Sequence, residues 1–509
     1  MISKLSNKTI GFAFLFICFL AFFYWSIQKE GYFIDEIYSF GISNSQNGPF
    51  ITNGFNSDCY VLSHNDILNY LTVGSNEKFD FENVYLNTKI DNGAPLYYMM
   101  LHTICSLFPG KFHKWFGLSI NLLFLFFSLI LIRKISYCIY ESKKASNASM
   151  FLFGTSTLII SLSLMIRFYM LLIFLSLLYI WSFITYIKNT SEGKRVVPLY
   201  TATILGLMTH YFFLYLIVVS VFVFFVNTFF SNNKTNFLNT AIVISTLIIA
   251  TLTLLFLTPF TSQFASSTNN DNGLMMINNI LNPSQWINKT AKYAGNIAIG
   301  MPIPTLLLVA IFIKKIFSRN WKCNPMNLSL ISIVILVSVA TIITAPHISA
   351  KYIAHIACLI VIPAGNIAVS IFDKLKTSIK LLLICAVIAF CFLIRPQYVY
   401  HDESQRLSAL KPYNNSICII QCEEPMNHRL LTWHLPHLIS MNECLVFGPN
   451  CDGKEYDFLK KNDFPDSIVL VSQSVCAIDG YKPVEHLYDY MGYSTWVLNR
   501  INNIVNIQQ

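Results

Sequence analysis

Charged side chains are scarce in this chain: 12% of its 509 residues are Asp, Glu, Lys or Arg, against about 25% in a soluble protein. With 54% apolar residues, it cannot hide its apolar surface from water by folding on itself, which excludes a wholly soluble protein. Other features are missing too. There is no internal repeat, no low-complexity tract and no Gly-rich nucleotide-binding loop. The first apolar run is followed by Gln28, Lys29 and Glu30 in place of a small-residue cleavage site, so it reads as a retained signal anchor.

What the chain has is long apolar runs. A bilayer core needs about 20 apolar residues per helix, and eleven stretches approach that length: Thr9 to Ile27, Trp115 to Ile132, Ala148 to Ile166, Tyr169 to Ile187, Val196 to Thr209, Tyr211 to Phe230, Leu238 to Pro259, Ile297 to Ile313, Leu328 to Thr344, Tyr352 to Ile371 and Ile379 to Ile394. Basic loops stay cytoplasmic during insertion. Arg133, Lys134, Lys143 and Lys144, then Lys188, Lys194 and Arg195, Lys234, Lys314, Lys315, Arg319 and Lys322, and Lys374, Lys376 and Lys380 fall in every second loop. The net charge of +9 is thereby a topology signal and gives no reason to invoke nucleic acid.

Ala94 to Phe108 is apolar but short for a span, and suits a helix lying at the interface. The expected fold is therefore an α-helical polytopic membrane protein with about eleven spans in residues 1–394 and a cytoplasmic amino terminus. Its outer face would carry a first loop with juxtamembrane helices (28–114), a second loop (260–296) and a C-terminal domain (395–509). That tail contains several prolines and short β-prone runs, Ser467 to Ser472 and Ser494 to Leu498, and reads as a small α/β or mixed domain. Cys418, Cys422, Cys444, Cys451 and Cys476 lie in it and Cys59 lies in the first loop, which suits disulfides in an oxidising compartment. Zinc is less well supported, because the Cys418-x-x-x-Cys422 spacing is loose and no His pair completes a ligand set.

Ionisable groups near bilayer depth mark pathways or sites. The topology puts Asp35 and Glu36, Asp91, Arg167 and Tyr169, His210, and His347, Lys351 and Tyr352 at the outer ends of helices. Singly, the acidic pair reads as a solvated helix end, the cations as snorkelling side chains, His210 as a satisfied bundle residue and Tyr97 as an interfacial anchor. Jointly, they supply a carboxylate to take a proton from an acceptor hydroxyl and cations to hold a departing phosphate.

At these residues the sequence resembles the GT-C superfamily of membrane glycosyltransferases, especially the family 39 group of protein O-mannosyltransferases and the lipid A aminoarabinose transferase. Asp35-Glu36 matches that group's acidic pair, Asp91-Asn-Gly-Ala-Pro-Leu-Tyr97 its Asp-x-His-Pro-Pro-Leu-Tyr segment, Arg167-Phe-Tyr169 its Arg-x-Tyr, His210-Tyr211 its His-Tyr, and Lys351-Tyr352 its late Arg-Tyr. The likeness runs in order from about residue 30 to 365, with Gly93-Ala94 in place of His-Pro and Lys351 in place of Arg. The resemblance implies a catalytic role for Asp35, assisted by Glu36 and Asp91, and donor-phosphate binding by Arg167, Lys351, His210, His347 and Tyr352. It also implies substrate contacts at Tyr97, Tyr169 and Trp286, the last in a loop that either closes over substrate or is an ordinary connector. The donor is expected to be a polyprenyl-phosphate-linked sugar and the acceptor a surface polysaccharide such as O-antigen, lipid A or a protein hydroxyl. Transfer would be by a single inverting displacement, with no cofactor and no demanded metal.

A donor synthase and a flippase are candidate partners, and the bilayer is the solvent. The high Asn, Ile and Lys content suggests an AT-rich bacterial source and a cell inner membrane location with a periplasmic tail. Two alternatives are an O-antigen polymerase or ligase using a lipid diphosphate, and a lipid-linked sugar flippase or transporter. The second is disfavoured because the charges gather at helix ends and not at midplane.

Overall fold

The computed structural model describes residues 6–52, 59–91, 93–188, 196–230, 237–267, 280–318, 325–345, 349–400, 402–414, 416–421, 428–439, 441, 443–447, 465–473, 478 and 480–501. It divides into two compact units, Met1–Gln28 with Asn92–Tyr97 and Gly117–Gln397, and Lys29–Asp91 with Tyr98–Phe116 and Tyr398–Gln509.

The first unit is helical. Each of the eleven apolar runs is largely helical, yet among the described residues only five helices are long and apolar enough to cross a membrane: Asn7–Gln28, Lys114–Tyr140, Tyr169–Ile187, Met326–Thr344 and Ala354–Phe372. Two bent pairs raise the count to seven, so the expectation of eleven full spans is met only in part. The bends have local causes. Lys143–Gly154 and Thr157–Leu164 meet at 54°, where Thr155 Oγ1 donates to the Phe151 carbonyl at 2.7 Å and Ser156 Oγ to that of Leu152 at 2.5 Å. Such bonds compete with the helix ladder and bend it. Ser284–Gly300 and Pro302–Ile313 meet at 114°, because Pro302 has no N–H to continue the ladder. Leu96–Leu107, within the segment read as interfacial, is about 18 Å long at 1.5 Å per residue, short of a bilayer core.

Small residues let these helices approach, as membrane bundles require. Val361–Phe372 packs on Lys143–Gly154 at Gly365, where a Cβ would stand 2.6 Å from the Ser149 nitrogen. Trp25 Nε1 donates to the Cys391 carbonyl at 2.8 Å, tying the first helix to Thr377–Leu393. At one end of the unit Asn147 Nδ2 donates to the Asn7 carbonyl at 2.8 Å and Lys144 pairs with Asp373 at 2.9 Å. The chain start and two of the basic loops thus share that end.

The second unit holds a six-stranded mixed sheet, ordered β1-β3-β2-β4-β6-β5, with β1 Cys59–Ser63, β2 Ile417–Gln421, β3 Glu443–Phe447, β4 Ser467–Ser472, β5 Tyr481–Tyr490 and β6 Tyr493–Arg500. Strands β2, β3 and β4 run parallel, while β1 from the first loop adds antiparallel to β3. Ile419, Leu445, Phe447, Ile468, Leu470, Tyr481 and Leu498 form its core. The β5–β6 hairpin turns at Met491 (φ 52°) and Gly492 (φ 84°). Both left-handed values mark the primed turn that matches strand twist. Cys418 and Cys444 face one another across β2 and β3 as buried free thiols, so the expected disulfides do not include this pair. The side chains of Cys59, Cys422, Cys451 and Cys476 lie outside the described residues.

Candidate functional site

The acidic candidate residues lie in the second unit, at the first turn of the helix Ile34–Asn44. Four contacts fix this helix. Tyr70 lies against Gly41, Asn44 Nδ2 donates to the Leu71 carbonyl at 2.8 Å, and both Asn83 and Asn87 donate to the Ser45 carbonyl at 2.7 Å. At its start Glu36 folds back to accept from the Phe33 nitrogen at 2.5 Å, satisfying one orphan donor of the helix terminus. The same carboxylate takes Lys29 Nζ at 3.0 Å, with both side chains wholly buried.

Lys29 also donates to the Tyr398 carbonyl at 2.7 Å and lies over the rings of Tyr32 and Tyr400, 5.9 and 5.5 Å from their centres. Burial still pulls its ammonium below the ordinary pKa, against the attraction of Glu36 and Glu403. Glu36 is therefore engaged in structure, whereas its neighbour Asp35 is only half-buried.

Behind this pair lies a second buried cluster. Glu403 accepts from His437 Nε2 at 2.7 Å and from Arg406 at 3.1 Å, and the Arg406 guanidinium stacks over Tyr490 at 4.6 Å. Burial alone would raise the Glu403 pKa; the bonds and charges of His437 and Arg406 outweigh it and lower the pKa. A lowered folded pKa contributes stability above the ordinary value of 4.5 that is lost as pH falls through the folded pKa. Thermal melts from pH 7 to pH 3 should show a shallower acid limb for Glu403→Gln than for wild type, starting about 1–3 kcal/mol less stable at neutral pH. Identical limbs would refute this linkage.

The cationic candidate residues lie in the first unit. Asn121, buried in Lys114–Tyr140, donates to the carbonyls of Ser163 and Met165 at 3.0 and 2.6 Å, and Ile166 fits against Gly117. That anchors the corner from which Arg167 projects. Arg167 lies over the Phe168 ring at 5.4 Å, and Phe168 packs on His210 at 4.8 Å. Lys351 Nζ lies 5.8 and 5.6 Å from the ring centres of Tyr169 and Tyr352, and Phe212 meets Tyr352 at 6.0 Å. Burial first, then His355 and Arg167, hold the His210 pKa at about 3. His210 is thus a neutral ring at physiological pH.

The same corner holds the Asp91-to-Tyr97 motif's later residues. Gly93 O accepts from Gln263 Nε2 at 3.0 Å and from Tyr211 at 3.4 Å, while the Leu96 nitrogen donates to the Met208 carbonyl at 2.9 Å.

The structure thus brings together Arg167, Tyr169, His210, Lys351 and Tyr352. It places Asp35 and Glu36 on one helix turn, Asp91 at the end of Phe81–Asp91, Tyr97 fully buried, and Trp286 half-exposed in the first turn of Ser284–Gly300. His347 lies outside the described residues, as does most of the connector between Phe260–Ser267 and Ser284–Gly300 that was expected to close or to link. Sequence reasoning missed Lys29, Glu403, His437 and the buried His355. The signal for Lys29 was its position directly after an apolar run, which usually means only a membrane flank. Among the described residues no group of His, Cys, Asp and Glu is arranged to hold a metal.

No protein-family model matches the chain, and no curated protein matches its sequence. Its structure is similar to that of ArnT from Cupriavidus metallidurans bound to undecaprenyl phosphate, with a TM-score of 0.51 and 11% identity over 95% of this chain and 97% of that one. An archaeal oligosaccharyltransferase, AglB from Archaeoglobus fulgidus, in complex with an inhibitory peptide and a dolichol-phosphate, overlaps at a TM-score of 0.47 and 11% identity, over 91% of this chain and 69% of that one. At this identity the first likeness speaks to fold alone, and the second is too loose to add to it. The chain thus shares the fold of that ArnT structure.

Proposed function

We propose that the chain is a membrane glycosyltransferase that moves a single sugar from a polyprenyl-phosphate donor to a cell-envelope acceptor: a surface polysaccharide, lipid A or a protein hydroxyl. The observation that carries this reading is the convergence of Arg167, Lys351 and their aromatic neighbours at one corner, on a fold shared with a protein solved with undecaprenyl phosphate bound. A guanidinium and an ammonium can share a phosphate's charge, Arg with a planar fork and Lys as a point charge. Asp35 takes the acceptor proton, and the acceptor oxygen displaces the lipid phosphate in one inverting step. Glu36 and Asp91 support the acidic side, with Lys29 holding Glu36 in place.

The protein lies in the inner membrane with its sheet domain periplasmic, and a donor synthase and flippase act before it. Residues 1–394 make the membrane part, and residues 395–509 contribute most of the sheet. Glycan and lipid mass spectrometry of a deletion strain against wild type should show one sugar missing from one envelope acceptor, restored by the wild-type gene. Identical profiles for every envelope glycan and lipid would refute the transferase reading. Loss of a whole repeat unit would favour a polymerase or ligase using a lipid diphosphate.

A further inference from the structure

Lys289 is a buried cation with no visible reason to be buried. It is 7% exposed, and its ammonium has no hydrogen-bond partner among the described residues. On its helix, Ser284–Gly300, the buried residues are Lys289 and Tyr293, one turn apart on the same face, while Lys292 points to solvent. That face is the inward one. Tyr293 packs with Ile342 and Ile353 and hydrogen-bonds the backbone at Ser349, so it abuts the short turn Ala350–Tyr352 that carries Lys351.

An ammonium removed from water without a counter-charge is costly. A lysine with four flexible methylenes normally snorkels out of such a position. Its retention on the face that meets the Lys351 turn points to a ligand that supplies the missing anion.

We infer that Lys289 is a further cation of the donor site and binds a phosphate oxygen of the polyprenyl-phosphate sugar, beside Lys351 and Arg167. This rests on the transferase reading above. Lys289 is then a donor-binding residue on the helix that leads into the bend at Pro302, and the ligand's phosphate relieves the charge of its ammonium.

The test uses the full chain in phosphatidylcholine nanodiscs, titrated with undecaprenyl phosphate and, separately, with phosphatidylglycerol. Wild type should be stabilised by undecaprenyl phosphate. Lys289→Met should melt at or above the wild-type temperature without ligand yet bind undecaprenyl phosphate at least about tenfold more weakly, as expected for one charge-assisted bond. Lys289→Arg should stay near wild type, and Lys289→Gln provides a second neutral variant if the Met protein does not fold. Equal binding by wild type and a folded neutral variant overturns the Lys289 assignment and leaves the transferase reading intact. Phosphatidylglycerol acting as strongly, with the same dependence on Lys289, makes this a headgroup site and also overturns it. Wild type that ignores undecaprenyl phosphate removes the transferase reading and this inference together.

Discussion

Asp35→Asn should lower sugar transfer by a hundred- to ten-thousandfold, roughly the range that a positioned general base supplies, while donor binding and melting temperature stay unchanged. Asn keeps the size and the helix-start position but cannot accept the proton. The proposed mechanism gives this task to Asp35 and not Glu36. The Glu36 carboxylate is buried and committed to the Lys29 ammonium and the Phe33 nitrogen, whereas Asp35, half-buried in the same turn, keeps access to the surface. Transfer measured in membranes with a labelled polyprenyl-phosphate sugar decides the point, because near-normal turnover by Asp35→Asn removes it from the mechanism. A split between kcat and donor KM adds detail: loss of the base should appear in kcat, whereas loss of Arg167 or Lys351 should appear in donor KM.

Lys29→Met should destabilise the protein by about 3–5 kcal/mol, the cost of stranding a buried carboxylate. Glu36 is wholly buried and sits 3.0 Å from Lys29, so removing the ammonium takes the paired cation away from a carboxylate shielded from solvent. The double variant Lys29→Met with Glu36→Gln should recover most of that loss, since the charge goes with its partner. The measurement is unfolding in detergent for both singles and the double. A Lys29→Met protein as stable as wild type, or a double variant as unstable as the single, would show that the pair is not coupled as its geometry requires. Activity should fall in the single variant through displacement of the Asp35 turn.

These two expectations differ in how far the sequence revealed them. Asp35 was legible because it forms part of an ordered series of motifs running to Lys351, and Arg167, Tyr169, His210 and Tyr352 were read from that series and do meet at one corner. The role of Lys29 was not. Its partner Tyr398 lies hundreds of residues away, and a lysine at the edge of an apolar run looks like any membrane flank. Strand β4 was visible in Ser467 to Ser472 because a central strand buried on both faces is apolar without alternation. Cys59–Ser63 was not, because five residues carry little pattern and the pairing partner is remote. Hydropathy found every apolar helix but could not show that Ile297 to Ile313 bends at Pro302, since apolar content is blind to direction.

Strand β1 has one more consequence, in time. Its antiparallel partner Phe447 follows Cys59 by roughly 390 residues, and chain elongation at about 5–20 residues per second separates them by roughly 20–80 s. Through that interval the helices of the first unit are threaded into the bilayer while β1 has no edge to join. The sheet cannot seat its first strand until β3 has been synthesised, so the unit that carries Asp35 matures late. A chain cut short before β3 would carry the helices of the first unit beside a strand with no edge to join.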